Sequence, residues 1–428
     1  MGVLAASAIG IGGMVGGGIF AVLGEAVSLA HGGTPLAFAI AGVIAALTSY
    51  AYARLSVAYP SQGGTVVFLH RAFGADLATG TLNAILWLSY LVTLALYAVA
   101  FGSYASTFFG DDASPFVRHG LITAGIALPA LLNVLNSAIV SKSELVIVVI
   151  KLVLLLVVVA FGLGTVNPDR LAPTTWGSPG SLAVAGLVIF VAYEGFELIA
   201  NAAPDVRDPE RTLPLAFRFT VLFVVVLYVL VAIVTVGSVS EAQIAEAQDY
   251  ALAEAARPSL GQAGFVFVAL SALLATLSAI NATIYGSARL GFTLATDREM
   301  PPVLARKVWR RPVAGVFAVA GLSALLANTV DLTEIATLAS AGFLLVFAAV
   351  NAAAFRLGSR IGAHRAITAV AALACLGALV VLLWHAAGDS PLAVWLFAAF
   401  VLGAAAFEFV LCRILGRPID MDAADAGD

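Results

Sequence analysis

Glu194 and Glu197 flank Gly195 in the middle of an apolar run, Phe190-Val-Ala-Tyr-Glu-Gly-Phe-Glu197. A charged side chain at the centre of a bilayer costs roughly 3 kcal/mol on insertion scales, so each acid must face a cavity or a partner. An acid in such a place binds a cationic group, carries a proton, or ties one helix to another. Lys151 is the one basic residue well inside an apolar run, seven residues past Glu144. Burial disfavours its charged form, which makes proton binding physically possible. The plainer alternative is that it ties two spans together or snorkels to an interface. The third feature is backbone. In Gly10-Ile-Gly-Gly-Met-Val-Gly-Gly-Gly-Ile-Phe20, glycines interrupt a segment apolar enough to cross a membrane. Unwound backbone at that depth is tolerated only where it is buried in protein or lines a cavity, because unpaired N–H and C=O groups in hydrocarbon cost several kcal/mol each. Exposed N–H groups at Gly16, Gly17 and Gly18, backed by the positive end of the following half-helix, suit a carboxylate.

The elements that must position these groups are membrane helices. Of 428 residues, 61% are hydrophobic and 11% charged, with a mean hydropathy of +1.03. That composition excludes an ordinary soluble domain and indicates an all-α polytopic membrane protein. Apolar stretches of about 20 residues fall at 2–30, 35–59, 77–109, 116–140, 144–164, 181–203, 213–239, 261–295, 313–330, 332–357, 365–385 and 391–415, which predicts twelve transmembrane helices. Placing alternate connectors on opposite sides divides the 21 basic residues as 17, 3 and 1, the last being Lys151. The positive-inside rule then puts both termini in the cytoplasm, in a multi-pass protein of the cytoplasmic membrane. The first basic residue is Arg54, so the first stretch is read as a span and not as a cleaved leader. Residues 241–258 read either as an amphipathic hairpin on the outer surface or as a solvated linker.

Other chemistries find no support. Cys375 and Cys412 suggest neither a disulfide framework nor a metal site. The Gly10-x-Gly12 pair lacks the third glycine of a dinucleotide fingerprint, and no Gly-Lys-Ser/Thr, His-Glu-x-x-His or Gly-x-Ser-x-Gly occurs. No enzyme, nucleic-acid partner or cofactor is expected.

The chain also carries a weak internal repeat. Gly16 and Gly195 are 179 residues apart, as are Pro35-Leu-Ala-Phe38 and Pro214-Leu-Ala-Phe217. Two interrupted spans at matching positions of two five-span halves point to a secondary transporter of inverted-repeat design, with its site at the breaks. This predicts one membrane transport domain over 1–428. Its first repeat would cover about 1–165 and its second about 180–358, followed by two extra helices (about 365–415) and a short cytoplasmic tail (416–428).

Several motifs, in order, resemble the amino acid, polyamine and organocation permease family. They are Gly16-Gly-Gly-Ile-Phe20, Tyr59-Pro-Ser-Gln-Gly-Gly64, Arg71-Ala-Phe-Gly74, Ala192-Tyr-Glu-Gly-Phe-Glu197, Asp208-Pro-Glu-Arg-Thr-Leu-Pro214 and Asn281-Ala-Thr-Ile-Tyr-Gly-Ser-Ala-Arg289. The resemblance implies a five-plus-five inverted repeat with broken helices 1 and 6. It implies that Gly16, Gly17 and Gly18 hold a substrate carboxylate while backbone carbonyls near Met14, Val191 and Glu194 take the amino group. It also implies that Lys151 stands where sodium-coupled relatives bind an ion, its ammonium touching carbonyls of the first span, so that transport is sodium-independent with the proton as coupling ion.

The expected activity is secondary active transport of an amino acid or related organic cation across the bilayer by alternating access. Exchange of amino acids or polyamines, and a non-transporting sensor or channel on the same fold, are the alternatives. Three departures from the family stand out: Arg54 where an acid is common, Gly17 for serine or alanine, and Glu194 at a usually apolar position. Glu197 matches a common acid and is expected to make a gating or structural contact. Glu194 either pairs with a cationic substrate group, carries a proton, or bonds a neighbouring helix. Phe190, Tyr193 and Phe196 either close over a ligand or pack. Trp87, Tyr90 and Tyr97 share a face of the third span, where core packing is the plainer reading.

Overall fold

A computed structural model of the chain describes residues 1–110, 114–135, 137–305 and 313–415, with the side chains of 135, 137–145, 248 and 415 outside that description. Helices run in order α1 (Val3–Met14), α2 (Gly18–Ala30), α3 (Thr34–Ala58), α4 (Thr65–Phe73), α5 (Leu77–Ser106), α6 (Pro115–Leu135), α7 (Ser137–Gly162), α8 (Pro179–Val188) and α9 (Leu198–Asn201). They continue as α10 (Pro209–Ser238), α11 (Glu241–Glu246), α12 (Ala251–Ala255), α13 (Arg257–Thr296), α14 (Val313–Thr329), α15 (Leu332–Arg356), α16 (Gly358–Ile361), α17 (Arg365–Asp389) and α18 (Pro391–Leu415).

The polytopic all-α expectation holds. Among the described residues ten apolar helical stretches are long enough to cross a membrane, and α1 with α2, bent by 52° at the break, makes an eleventh. The predicted ninth span coincides with α14, whose described part is 17 residues long. Between the predicted fourth and fifth spans, α7 already begins at Ser137, well before the expected 144. The side chains of Lys142 and Glu144, together with Arg306, Lys307, Arg310, Arg311, Arg417 and the tail 416–428, lie outside the described residues.

The interior is formed by α2, α5, α15 and the α8–α9 region, nearly every residue of which is buried, while α17 and α18 present rows of exposed Leu, Val and Trp outward. Lipid tails are as apolar as leucine, so close approach of small residues holds such helices together. A Cβ placed on Gly42 of α3 would meet Val225 of α10 at 2.5 Å. These two helices, which carry the Pro-Leu-Ala-Phe repeats, pack along each other. Pro35 sits in the first turn of α3, where its missing N–H is harmless, whereas Pro214 lies inside α10.

The segment 241–258 is packed, not solvated. Ser240 and Gln243 form a capping box that starts α11. Ile244, Ala251, Leu252, Ala253 and Ala255 are buried, and the segment lies against α2. Asp249 pairs with Arg118 of α6. At the opposite end, α4 is tied to the chain after α13. Glu299, 1% exposed, accepts from His70 at 2.7 Å and from Asn83 Nδ2 at 2.7 Å.

Candidate functional site at the two helix breaks

The interruption in the first span is three residues long: α1 ends at Met14, α2 starts at Gly18, and Val15, Gly16 and Gly17 between them are non-helical and buried. The interruption in the sixth span is longer than a glycine kink. After α8 the chain tightens into a 3-10 turn, Ile189–Tyr193, then passes through non-helical turns at residues 194–197 before the single turn of α9. Gly195 takes φ +114°, open to glycine and strained for other residues.

The two breaks meet backbone to backbone. A Cβ on Gly195 would sit 2.6 Å from the Met14 nitrogen, one on Gly13 would sit 2.8 Å from the Gly195 oxygen, and one on Gly18 would sit 2.9 Å from Ala192 Cα. No side chain of ordinary size fits between them. The N–H of Ala21 is the first of α2 to find a backbone acceptor, Gly17 O at 3.0 Å. Those of Gly16, Gly17, Gly18, Ile19 and Phe20 have none among the described residues. These orphan donors point out of a helix N-terminus, where the macrodipole adds partial positive charge.

Side chains from distant spans hold the breaks open. Tyr228 of α10 donates to the Met14 carbonyl at 2.7 Å. Ser340 of α15 accepts from the Val191 N–H at 3.0 Å and donates to the Val188 carbonyl at 2.7 Å, so one hydroxyl takes up backbone groups released by unwinding. Lys151 of α7, 2% exposed, donates to the Gly12 carbonyl at 2.8 Å, placing a cation at the C-terminal end of α1.

The two acids are in different situations. Glu197, 2% exposed, accepts from the Gly195 N–H at 2.8 Å and from the Tyr90 hydroxyl at 3.1 Å, so it braces the turn against α5. Glu194, 5% exposed, has Thr93 of α5 beside it, and its Oε2 has no hydrogen-bond partner among the described residues. Tyr90 and Tyr97 lie within electrostatic reach of its carboxylate.

Of the residues singled out from sequence, Met14, Gly16, Gly17, Gly18, Val191, Glu194 and Gly195 come together where the breaks cross. Tyr97 joins them, since a Cβ on Gly17 would lie 2.6 Å from its ring. The aromatic residues of the sixth span turn elsewhere. Phe190 packs edge-on to Phe347 at 6.0 Å, and Phe196 packs on Tyr52 and Phe347 at 5.5 and 5.3 Å. Tyr193 donates to the Phe38 carbonyl at 2.9 Å and leans on Tyr228. Trp87 donates to the Ser287 carbonyl of α13 at 3.0 Å. Of the carbonyls proposed for an amino group, Met14 O already accepts from Tyr228 and Val191 O from the Glu194 N–H at 3.1 Å, which leaves each one further lone pair. Thr93, Tyr228 and Ser340 were not singled out from sequence; the available signal was a hydroxyl in an apolar run. No group of His, Cys, Asp and Glu among the described residues could hold a metal.

Comparison with known proteins identifies the family. The model of the family described as "Amino acid permease" matches residues 1–407. The Inner membrane transport protein YbaT of Escherichia coli is 34% identical over 87% of this chain and 87% of its own length. An uncharacterized protein of Methanocaldococcus jannaschii is 30% identical over 96% and 95%. The Branched-chain amino acid permease BcaP of Bacillus subtilis is 24% identical over 81% and 78%. With a family match spanning nearly its whole length and the broken helices that the motifs implied, the chain belongs to the amino acid permease family, membrane transporters and not enzymes.

Proposed function

We propose that this protein moves amino acids across the cytoplasmic membrane by alternating access, with both termini in the cytoplasm and the substrate held where the two breaks cross. The observation that carries the reading is the set of unengaged N–H groups from Gly16 to Phe20, abutting a second break. Such donors at a helix N-terminus suit a carboxylate, and backbone recognition reads the constant part of any amino acid. The two halves, 1–165 and 180–358, act as inverted repeats rocking about this crossing. Proton coupling and sodium independence rest on Lys151. Its ammonium on the Gly12 carbonyl is a built-in cation at the end of α1, and loss of its proton would remove that charge and weaken its hold on the carbonyl.

Uptake of radiolabelled amino acids into proteoliposomes tests the reading, with pH and sodium gradients imposed separately and counterflow run in parallel. Saturable uptake driven by an inward proton gradient and indifferent to sodium is expected. Exchange without net uptake would replace symport by antiport, and the absence of any saturable flux would leave a sensor or channel.

A further inference from the structure

The proposed transport reading leaves one buried group unused. Glu194 stands at the crossing with Oε2 unpartnered among the described residues. The acid three residues on, Glu197, is satisfied by the Gly195 N–H and the Tyr90 hydroxyl. Of the Glu194 oxygens, Oε2 is thus left over while Thr93 of α5 bonds the carboxyl. Tyr90, Tyr97 and the Glu197 carboxyl complete its polar surroundings, and among the described residues no basic side chain makes an ion pair with it. Lys151 is bonded to the Gly12 carbonyl, on the face of α1 that Val148 covers, whereas Gly195 lies against neighbouring Gly13. A buried acid with no counter-ion ionises only at a cost of several kcal/mol, so a cation that completes the site stabilises its carboxylate form and gains a charge-assisted hydrogen bond.

The spacing along α5 says what kind of cation. Tyr97 lies against Gly17 and within 3.7 Å of a Cβ on Gly16, so it marks the level of the orphan N–H groups. Thr93, one turn away along the same helix, is beside the Glu194 carboxyl, and Tyr97 is itself within electrostatic reach of that carboxyl, so one turn of α5 adjoins both the orphan N–H groups and the acid. A ligand that meets both carries an anionic end and an ammonium close together, as an α-amino acid does. We infer that Glu194 is a specificity-determining residue that binds the α-ammonium of the substrate, so that this site reads the amine by a side-chain charge as well as by backbone carbonyls. The site therefore takes compact α-amino acids, and also small primary amines that lack a free carboxylate, such as amino acid amides.

Binding to detergent-solubilised full-length protein tests this, read by thermal shift and by competition against a radiolabelled amino acid. The probes are an α-amino acid, its amide (ammonium kept, carboxylate removed) and the matching 2-hydroxy acid (carboxylate kept, ammonium removed). In the wild type the amide is expected to bind within about tenfold of the amino acid. In Glu194→Gln, amino acid and amide are expected to weaken by tenfold or more while the hydroxy acid is unchanged, since one electrostatic contact of about 1.4 kcal/mol corresponds to tenfold. Equal affinities of wild type and Glu194→Gln for the amino acid and its amide would overturn the assignment; that is the result for a protonated Glu194, which glutamine mimics. Failure of every probe to bind the wild type would overturn the transport reading on which the inference rests. Should Glu194→Gln not fold, Thr93→Val carries the same comparison, with a threefold or greater selective loss for the amide expected and equal losses for amide and hydroxy acid overturning it.

Discussion

Gly195 and Gly13 touch through their backbones across 182 residues of sequence, with the Gly195 oxygen 2.8 Å from where a Cβ on Gly13 would stand. The contact fixes how the first and sixth spans cross. It also brings the orphan N–H groups of one break close to the unwound backbone of the other, the arrangement on which the proposed amino acid site rests.

Gly195→Ala tests that contact. The new methyl group would meet the Met14 nitrogen at 2.6 Å, and φ +114° adds strain of about 1–3 kcal/mol. Thermal unfolding in detergent should show a clear drop in midpoint, and any protein that reaches the membrane should show no saturable uptake. A variant with wild-type stability and transport would mean that the breaks do not meet in the working protein.

At Gly17 the neighbour is the base of the buried Tyr97 ring, which must shift to admit a methyl group. Gly17→Ala places a methyl group 2.6 Å from the Tyr97 ring, so KM should rise about tenfold as the cradle narrows. Combining it with Tyr97→Ala relieves the clash, and the double variant should recover affinity relative to Gly17→Ala, a coupling of roughly 1 kcal/mol. Strictly additive losses would place Tyr97 away from the cradle.

Lys151→Ala removes the ammonium from the Gly12 carbonyl. The fold should survive, because Tyr228 still holds the first break through the Met14 carbonyl and Glu197 still braces the break packed against it. Uptake driven by a pH gradient should vanish, while counterflow exchange persists. Acid stimulation equal to the wild type in this variant would refute the coupling role.

Glu197 is predicted to matter for assembly. Glu197→Gln keeps an oxygen for the Gly195 N–H and should unfold within about 1 kcal/mol of wild type. Glu197→Ala leaves a buried N–H without its acceptor, at a cost of about 1–3 kcal/mol. Equal stability of the two variants would argue that the carboxylate does not brace the turn.

Much of this arrangement was legible in the sequence because a bilayer restricts what a chain can do. Apolar runs of spanning length, glycines inside two of them and ionisable residues at depth each have few physical explanations. From these came the helical membrane fold, a break at the glycines of the first span (expected at Gly16–Gly18, found one residue earlier at Val15–Gly17), the partner break at Gly195 and the attention to Lys151, Glu194 and Glu197. Helical phase and long-range contact were not legible. Neighbouring residues on a helix differ by about 100° in direction, and an unwound turn breaks even that rule. Hence Tyr193 faces Phe38 while Glu194, the next residue, has Thr93 beside it. Sequence spacing also cannot say that Tyr228 and Ser340, far along the chain, supply the hydroxyls that relieve the broken backbone. The sequence by itself determined that two helices must break and that something polar must meet them. Only the tertiary structure decided which acid has both oxygens engaged and which keeps one without a partner among the described residues, because that depends on whether a donor arrives within about 3 Å.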